Sequence, residues 1–428
     1  MSTDRDILRG LAARCRELAE SAGQVRLREQ WRRLNDLDGI ERPLVLTKPE
    51  GAWTEILTDE FVQCQDPDAR EIERNLRIRL YHDKVLRDDR PFPAAYDIGW
   101  SVSQDGFGVE VPQHRSSERG AATWDPPITD LARDMPKLRH RNWSVDRTAS
   151  ARRLETAAEA FGDLLPVRRR HFPWWTLGLT IEIIQLVGIE RLMTLMCDDP
   201  EGLHRLMAWM RDEHQAMIDW HRSEGLLTPN HDAVWNYGSG GIGETGQLPP
   251  TAGPAGMWGF SESQETVGVS PRMFREFILP YQKPLLEQFG LAYYGCCEGL
   301  DKRIDDVLTI RNLRVVSMSP WCDQRRLAEK VGRRCVLARK PNPTLVASAF
   351  DEAAIRADIR TTLEQTRGCH LFFVLKDTHT IAQQPWRLAR WVELARDEIE
   401  RHAAPAESTQ PAEPTGAAMA CSGGGCRA

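Results

Sequence analysis

The chain has 428 residues, a net charge of −6, 41% hydrophobic and 28% charged residues. This balance supports a large globular core and lacks the basic surplus of a nucleic-acid binder. No run approaches the roughly 18–20 consecutive apolar residues of a membrane span. The charged start "MSTDRDILRGLAARCRE" has no apolar signal core, so a cytoplasmic protein is expected. Ten cysteines in so long a chain read as mostly reduced thiols.

In chain order, residues 4–36 predict one or two amphipathic helices, rich in Arg, Glu, Leu and Ala. A short strand follows at 43–48 and runs into Lys-Pro-Glu-Gly; a second is expected at 92–99. Residues 101–170 are polar and read as a long excursion with some helix near 146–163. Strands are expected at 172–178 and 231–236. Between them lies a helix capped by Asp199 with Pro200 at its first position. Ser270-Pro271 repeats that start signal, and Pro280 and Pro284 should bend or break the helix that follows. From there strands at 291–297, 313–318, 334–339 and 370–376 alternate with helices near 301–310 and 323–331, one capped at Asp351 with Gly368 after it, and one near 384–402.

Eight strands alternating with helices predict an α/β fold, a closed (β/α)8 TIM barrel over residues 42–403. A helical extension precedes it at 1–41, an insertion interrupts it at about 101–170, and a disordered Ala/Pro/Glu/Ser/Thr tail follows at 404–428. Cys421 and Cys426 in that tail are incidental thiols or a metal or disulfide pair.

A barrel keeps its chemistry at the carboxyl ends of its strands. The fourth strand would end at Trp235, Asn236 and Tyr237, the fifth at Cys296, Cys297 and Glu298. The sixth ends near Cys322, the seventh at Lys340 and Asn342, the eighth at Lys376, Asp377 and His379. Thiols, a carboxylate and an imidazole on one rim make a borderline-soft donor set, for which zinc is the simplest ion. The Cys-Cys pair reads equally as two small buried residues on opposite faces of a strand; only a turn at Gly295 or after Cys297 would bring both sulfurs to one side. Lys340 and Lys376 are either solvated strand tips or anchors for a substrate carboxylate. His379 is a ligand, a general base or a loop residue. Most of the fourteen tryptophans serve packing. Trp174, Trp235 and Trp258, which lie near glycine and proline, could also wall a planar or cationic ligand.

The stretches "DDPEGLHRLMAWM", "GVSPRMFREFILPYQKPLLEQFG", "YYGCCEGLDKRIDDVLTI" and "NLRVVSMSP" resemble the uroporphyrinogen decarboxylase superfamily over about 190–400. The resemblance implies a (β/α)8 barrel with extra N-terminal helices and either of two chemistries. True decarboxylases carry an Arg-Gln-Ala-Gly-Arg-Tyr stretch that binds substrate carboxylates; here the corresponding "RPLVLTKPEGAWTE" lacks it. The other branch contains zinc-dependent methyltransferases that work with corrinoid proteins or thiols. Their His-x-Cys-Gly falls at Tyr294-Gly295-Cys296-Cys297, with Tyr294 in the place of the histidine. The resemblance therefore implies a metal set drawn from Cys296, Cys297, Cys322 and His379. Glu298, Lys340, Lys376 and Asp377 would act on a substrate lined by Trp174, Trp235, Asn236, Tyr237, Trp258, Tyr294 and Asn342. The expected function is a zinc-assisted methyltransferase taking a small-molecule methyl donor or acceptor, with a corrinoid (cobalamin) on a partner protein or a thiol as the other party. A decarboxylase of a tetrapyrrole or other carboxylate and a non-catalytic corrinoid- or protein-binding barrel are the alternatives. No nucleic-acid or membrane partner is expected, and pairing as a homodimer stays open.

Overall fold

The computed structural model describes residues 3–115, 122–171, 175–234 and 240–403. Six short apolar runs pair in parallel into one sheet. Their order is Leu44–Thr47, His370–Leu375, Val336–Arg339, Leu313–Met318, Leu291–Tyr294 and Trp258–Ser261. The two-residue alternation of a strand sends Leu44, Leu46, Trp258, Phe260, Tyr293 and Phe372 into one cluster and Val45, Ala292, Tyr294, Val316, Leu337 and Phe373 into another. Both faces are buried, which is why these strands read as continuous hydrophobic runs. Trp31, from the helix Ala22–Asn35, stands edge-on to Phe372 at 5.2 Å and closes the first face. Helices that follow the strands, such as Glu352–Gln365 and Trp386–Ala403, cover the second.

The sheet has two edges among the described residues. At one, the Asp89 N–H donates to Val45 O at 2.7 Å; at the other, the Leu177 N–H donates to Phe260 O at 2.9 Å. Irregular chain therefore lies where two of the expected strands would pair. The strand expected at 92–99 is present as Tyr96–Ile98, but it pairs with Val167–Arg169 away from the main sheet. Of the strands expected at 172–178 and 231–236, the described parts, 175–178 and 231–234, form no ladder. Their remainders, and Trp174, Trp235, Asn236 and Tyr237 with them, lie outside the described residues, as does the tail 404–428. Trp258–Ser261 takes the sheet position beside Leu291–Tyr294 instead. Glycine interrupts its apolar run for a packing reason: a Cβ on Gly259 would sit 2.7 Å from the Phe289 ring.

The N-terminal helix Asp4–Glu20 packs on Pro67–Tyr81 and Arg147–Phe161 around a separate core of Leu8, Leu11, Leu76, Tyr96 and Phe161. The excursion adds two antiparallel ribbons, Ser101–Gln104 with Trp143–Asp146 and Gln113–Arg115 with Ala122–Trp124. The expected caps are in place: Asp199 accepts from Gly202 N at 2.9 Å and Ser270 from Met273 N at 3.2 Å. Pro280 does not end its helix. A π-helical turn, Phe274–Ile278, widens the helix just before Leu279–Leu286, where the missing proline N–H is tolerated. No helix among the described residues is long and apolar enough to cross a membrane.

One loop beside the sheet carries a pH-dependent cost. Glu244 Oε2 is buried without a hydrogen-bond partner. Burial, reinforced by Asp232, pushes the carboxyl from its ordinary 4.5 up to about 7. The unfolded chain ionises at the lower pH, so this residue's contribution falls as pH rises from the unfolded value through the folded one. Glu244→Gln should add about 1–2 kcal/mol of stability at about pH 8, after allowance for solvent screening, and nothing at about pH 4. Urea denaturation at the two pH values measures the difference.

Candidate functional site

The strand Leu291–Tyr294 ends at Gly295, whose φ of +99° lies in the left-handed region. The N–H of Gly295 donates to Ser261 O at 2.8 Å, and the chain then turns out of the ladder. Cys296 and Cys297 thus lie past the strand, where alternation no longer separates them, and their sulfurs are 3.6 Å apart. Cys296 is buried and Cys297 half-buried. The turn is held from three sides. Ser317 Oγ and Lys340 Nζ each donate to Cys296 O at 2.8 Å. Glu298 accepts from Cys296 N at 2.8 Å and from Ser263 N at 2.9 Å.

Lysines converge on the thiols. Lys376 Nζ is 3.7 Å from Cys296 Sγ and 2.9 Å from Asp377 Oδ1. Burial alone would lower the lysine's pKa; the Cys296 sulfur and the Asp377 carboxylate outweigh it and raise it above the ordinary value. Burial keeps Lys340 and Lys48 below theirs. Cys297 is pushed up, first by its contact with Cys296 and then by burial.

Asp377 joins the thiols to a second group. Cys297 Sγ lies 3.9 Å from Asp377 Oδ2, and Asp377 N donates to Glu50 Oε2 at 3.0 Å. Ligand atoms of Glu50, Asp377 and His379 all lie within 4.8 Å of one another. Two oxygens and an imidazole nitrogen suit zinc or a related divalent ion. Lys48, 3.6 Å from Glu50, and Lys376 already offset the two carboxylates, so an ion would compete with ammonium groups. Glu50 and Asp377 are both left-handed, with φ of 49° and 59°. Such backbone costs roughly 1–3 kcal/mol per residue and persists where the surroundings impose it.

The expected metal set is only partly assembled. Cys296 and Cys297 are together, but Cys322 donates to Ser319 O at 3.2 Å, and burial pushes it up to about 12. His379 groups with Glu50 and Asp377 rather than with two or more of the cysteines. Three expected substrate contacts are committed elsewhere. Trp258 is fully buried in the sheet, its indole donating to Gly243 O at 2.9 Å. Tyr294 is also fully buried and donates to Gln282 Oε1 at 2.7 Å. Asn342 Oδ1 accepts from Thr344 N at 3.1 Å and so begins the turn Thr344–Ala347.

Four residues escaped the sequence reading. Lys48 and Glu50 end the first strand, and the Lys-Pro-Glu-Gly that closes it was the available signal. Glu262 and Glu265 follow Trp258–Ser261, a strand the sequence did not reveal. Glu262 is fully buried and accepts from Gln264 N at 2.9 Å. Burial, then Glu265 and Glu298, raise it well above the carboxylate range; burial also raises Glu298.

No protein-family model matches the chain, and neither does any curated protein. Among solved structures it is similar to a methyltransferase from Methanosarcina mazei, with a TM-score of 0.49 and 12% identity, over 87% of this chain and 99% of that one.

Proposed function

We propose that this chain is a metal-assisted methyltransferase of the uroporphyrinogen decarboxylase superfamily, built on a (β/α)8 barrel. Closure of the barrel is supported by the backbone bonds Asp89–Val45 and Leu177–Phe260 at the two sheet edges, where strands two and three would lie. The observation that carries the function is the meeting of Cys297 with the Glu50, Asp377 and His379 group at the carboxyl ends of the first, fifth and eighth strands. Zinc is the proposed ion, held by Glu50, Asp377 and His379 beside Cys297. When bound it would supply Lewis acidity toward the methyl donor or hold a thiol acceptor as thiolate.

The chain's own groups do the rest. Lys376 favours negative charge on Cys296, while Lys340, Ser317 and Glu298 fix the turn that presents both sulfurs. Burial and its acidic neighbours raise the pKa of Glu262, which suits it to act as a general acid toward a leaving oxygen or nitrogen. The methyl donor is a small molecule, and the acceptor a corrinoid protein or a thiol. A second reading rests on the three lysines Lys48, Lys340 and Lys376, of which Lys376 is held above its ordinary pKa and which would instead hold a substrate carboxylate for decarboxylation.

Metal analysis tests the choice. Protein purified from zinc-supplemented growth should carry about one zinc per chain. Asp377→Asn and His379→Ala should lose it, and Cys322→Ser should keep it. Metal-free wild type, or loss in Cys322→Ser with retention in Asp377→Asn, would remove this assignment. Metal-free protein that releases carbon dioxide from a carboxylate would establish the second reading.

A further inference from the structure

A cavity of about 460 Å³ lies at the other end of the first strand, where Arg42 and Leu44 line it; Thr47, toward the thiol site, is not part of it. Five arginines face it: Arg26, Arg42, Arg87, Arg90 and Arg396. Four acidic residues also line it, but the two buried ones are occupied. Asp89 accepts from Arg42 at 2.7 and 2.9 Å, from Arg396 at 2.8 Å and from Val45 N at 2.8 Å. Asp88 accepts from Thr47 N at 2.8 Å and contacts His82 Nδ1 at 3.0 Å. One carboxylate therefore serves two guanidinium groups. Of the other two acidic residues, Asp83 pairs with Lys84 at 3.1 Å and Glu41 accepts from Gln30 Nε2 at 3.3 Å.

Two of the five arginines have no charged partner, and a third has one buried donor unsatisfied. The side chains of Arg26 and Arg87 form no ion pair among the described residues. Arg396 Nε is buried without a hydrogen-bond partner. Arg90 contacts His82 Nε2 at 3.0 Å. The 14-residue helix Ala22–Asn35 begins at the cavity wall, and the N–H of Gly23 is among its first-turn donors. A Cβ there would meet only Ser21 Oγ, at 3.9 Å, so a ligand can come close to this backbone. Arg87 occupies left-handed backbone, with φ of 53°.

We propose that this cavity is a second ligand site, for a small organic molecule bearing a multiply charged oxyanion. Guanidinium forks and a helix N-terminus both fit phosphate or carboxylate oxygens. The volume falls within the range of small-molecule pockets and exceeds what a single inorganic ion fills. The site is separate from the thiol rim and does not depend on the function proposed for it.

Calorimetric titration of the full chain with pyrophosphate and, separately, with citrate tests this. At least one should bind saturably, at about one per chain, with affinity falling as salt rises. Preference for pyrophosphate assigns a phosphorylated ligand, and preference for citrate a polycarboxylate. The double variant Arg26→Ala/Arg87→Ala should weaken binding by about 10–100-fold. Its melting temperature and zinc content should match wild type, because both side chains are exposed and unpaired. Absence of heat with either anion at millimolar concentration, or unchanged binding in the double variant, overturns the site.

Discussion

Replacing Arg303 with methionine is expected to remove about 3–5 kcal/mol of stability, the largest loss foreseen for a side chain outside the thiol turn. Arg303 is buried and lies over the Phe274 ring at 5.0 Å. Its guanidinium donates to Val269 O at 2.7 Å, Thr266 Oγ1 at 3.3 Å, Ser263 Oγ at 3.4 Å, and Thr266 O. One side chain thus satisfies the loop between the strand Trp258–Ser261 and the helix that starts at Pro271. Methionine keeps the length and the contact with Phe274 but leaves two buried carbonyl oxygens without this donor. Lysine should recover only part of the loss, because a point charge cannot span the fork. Urea midpoints with an unchanged m-value measure both variants; a loss below about 1 kcal/mol for methionine would mean that the carbonyls find other donors. The effect should reach the site, since the same loop supplies the Ser263 N–H that holds Glu298.

The elements that were legible in the sequence are those whose local chemistry agrees with their place in the fold. Val, Leu and Phe runs at 313–318, 336–339 and 370–375 are strands because both of their faces are buried. Asp199, Ser270 and Asp351 announced their helices because side-chain capping is a local interaction. Trp258–Ser261 was hidden because its glycine answers to Phe289, a residue thirty positions away in sequence. Tyr96–Ile98 was visible as a strand, but its partner, Val167–Arg169, was not, since pairing is settled by tertiary packing. The site divides in the same way. The thiols, Glu298, Lys376 and Asp377 followed from the strand ends. The link from Asp377 to Glu50 crosses more than three hundred residues, and no spacing rule anticipates it. Trp258 and Tyr294 misled because an aromatic residue near glycine looks the same in sequence whether it faces a ligand or the core.

Gly295→Ala should cost about 2–4 kcal/mol and dismantle the thiol turn, and the two parts of that cost can be measured separately. The backbone part comes from φ of +99°, which a residue with a Cβ adopts only under strain. The steric part comes from Leu300 Cδ1 and Ser317 Cβ, which the new methyl would meet at 2.5 and 2.9 Å. Leu300→Ala removes the first of these neighbours while opening a hole of its own in the core, at about 2–5 kcal/mol. In a double-mutant cycle, the pair should therefore lose about 1–2 kcal/mol less than the sum of the single variants. A coupling near zero would place the cost in the backbone and the Ser317 contact. Removing Leu300 should leave the φ strain and the Ser317 contact, so the double variant should still bind less zinc than Leu300→Ala alone. The reason lies in how the site is made. Ser317 donates to the Cys296 carbonyl, and Glu298 accepts from the Cys296 N–H, on either side of the same turn. A backbone that relaxes at Gly295 rotates both groups away from these partners, and Cys297 with them away from Asp377.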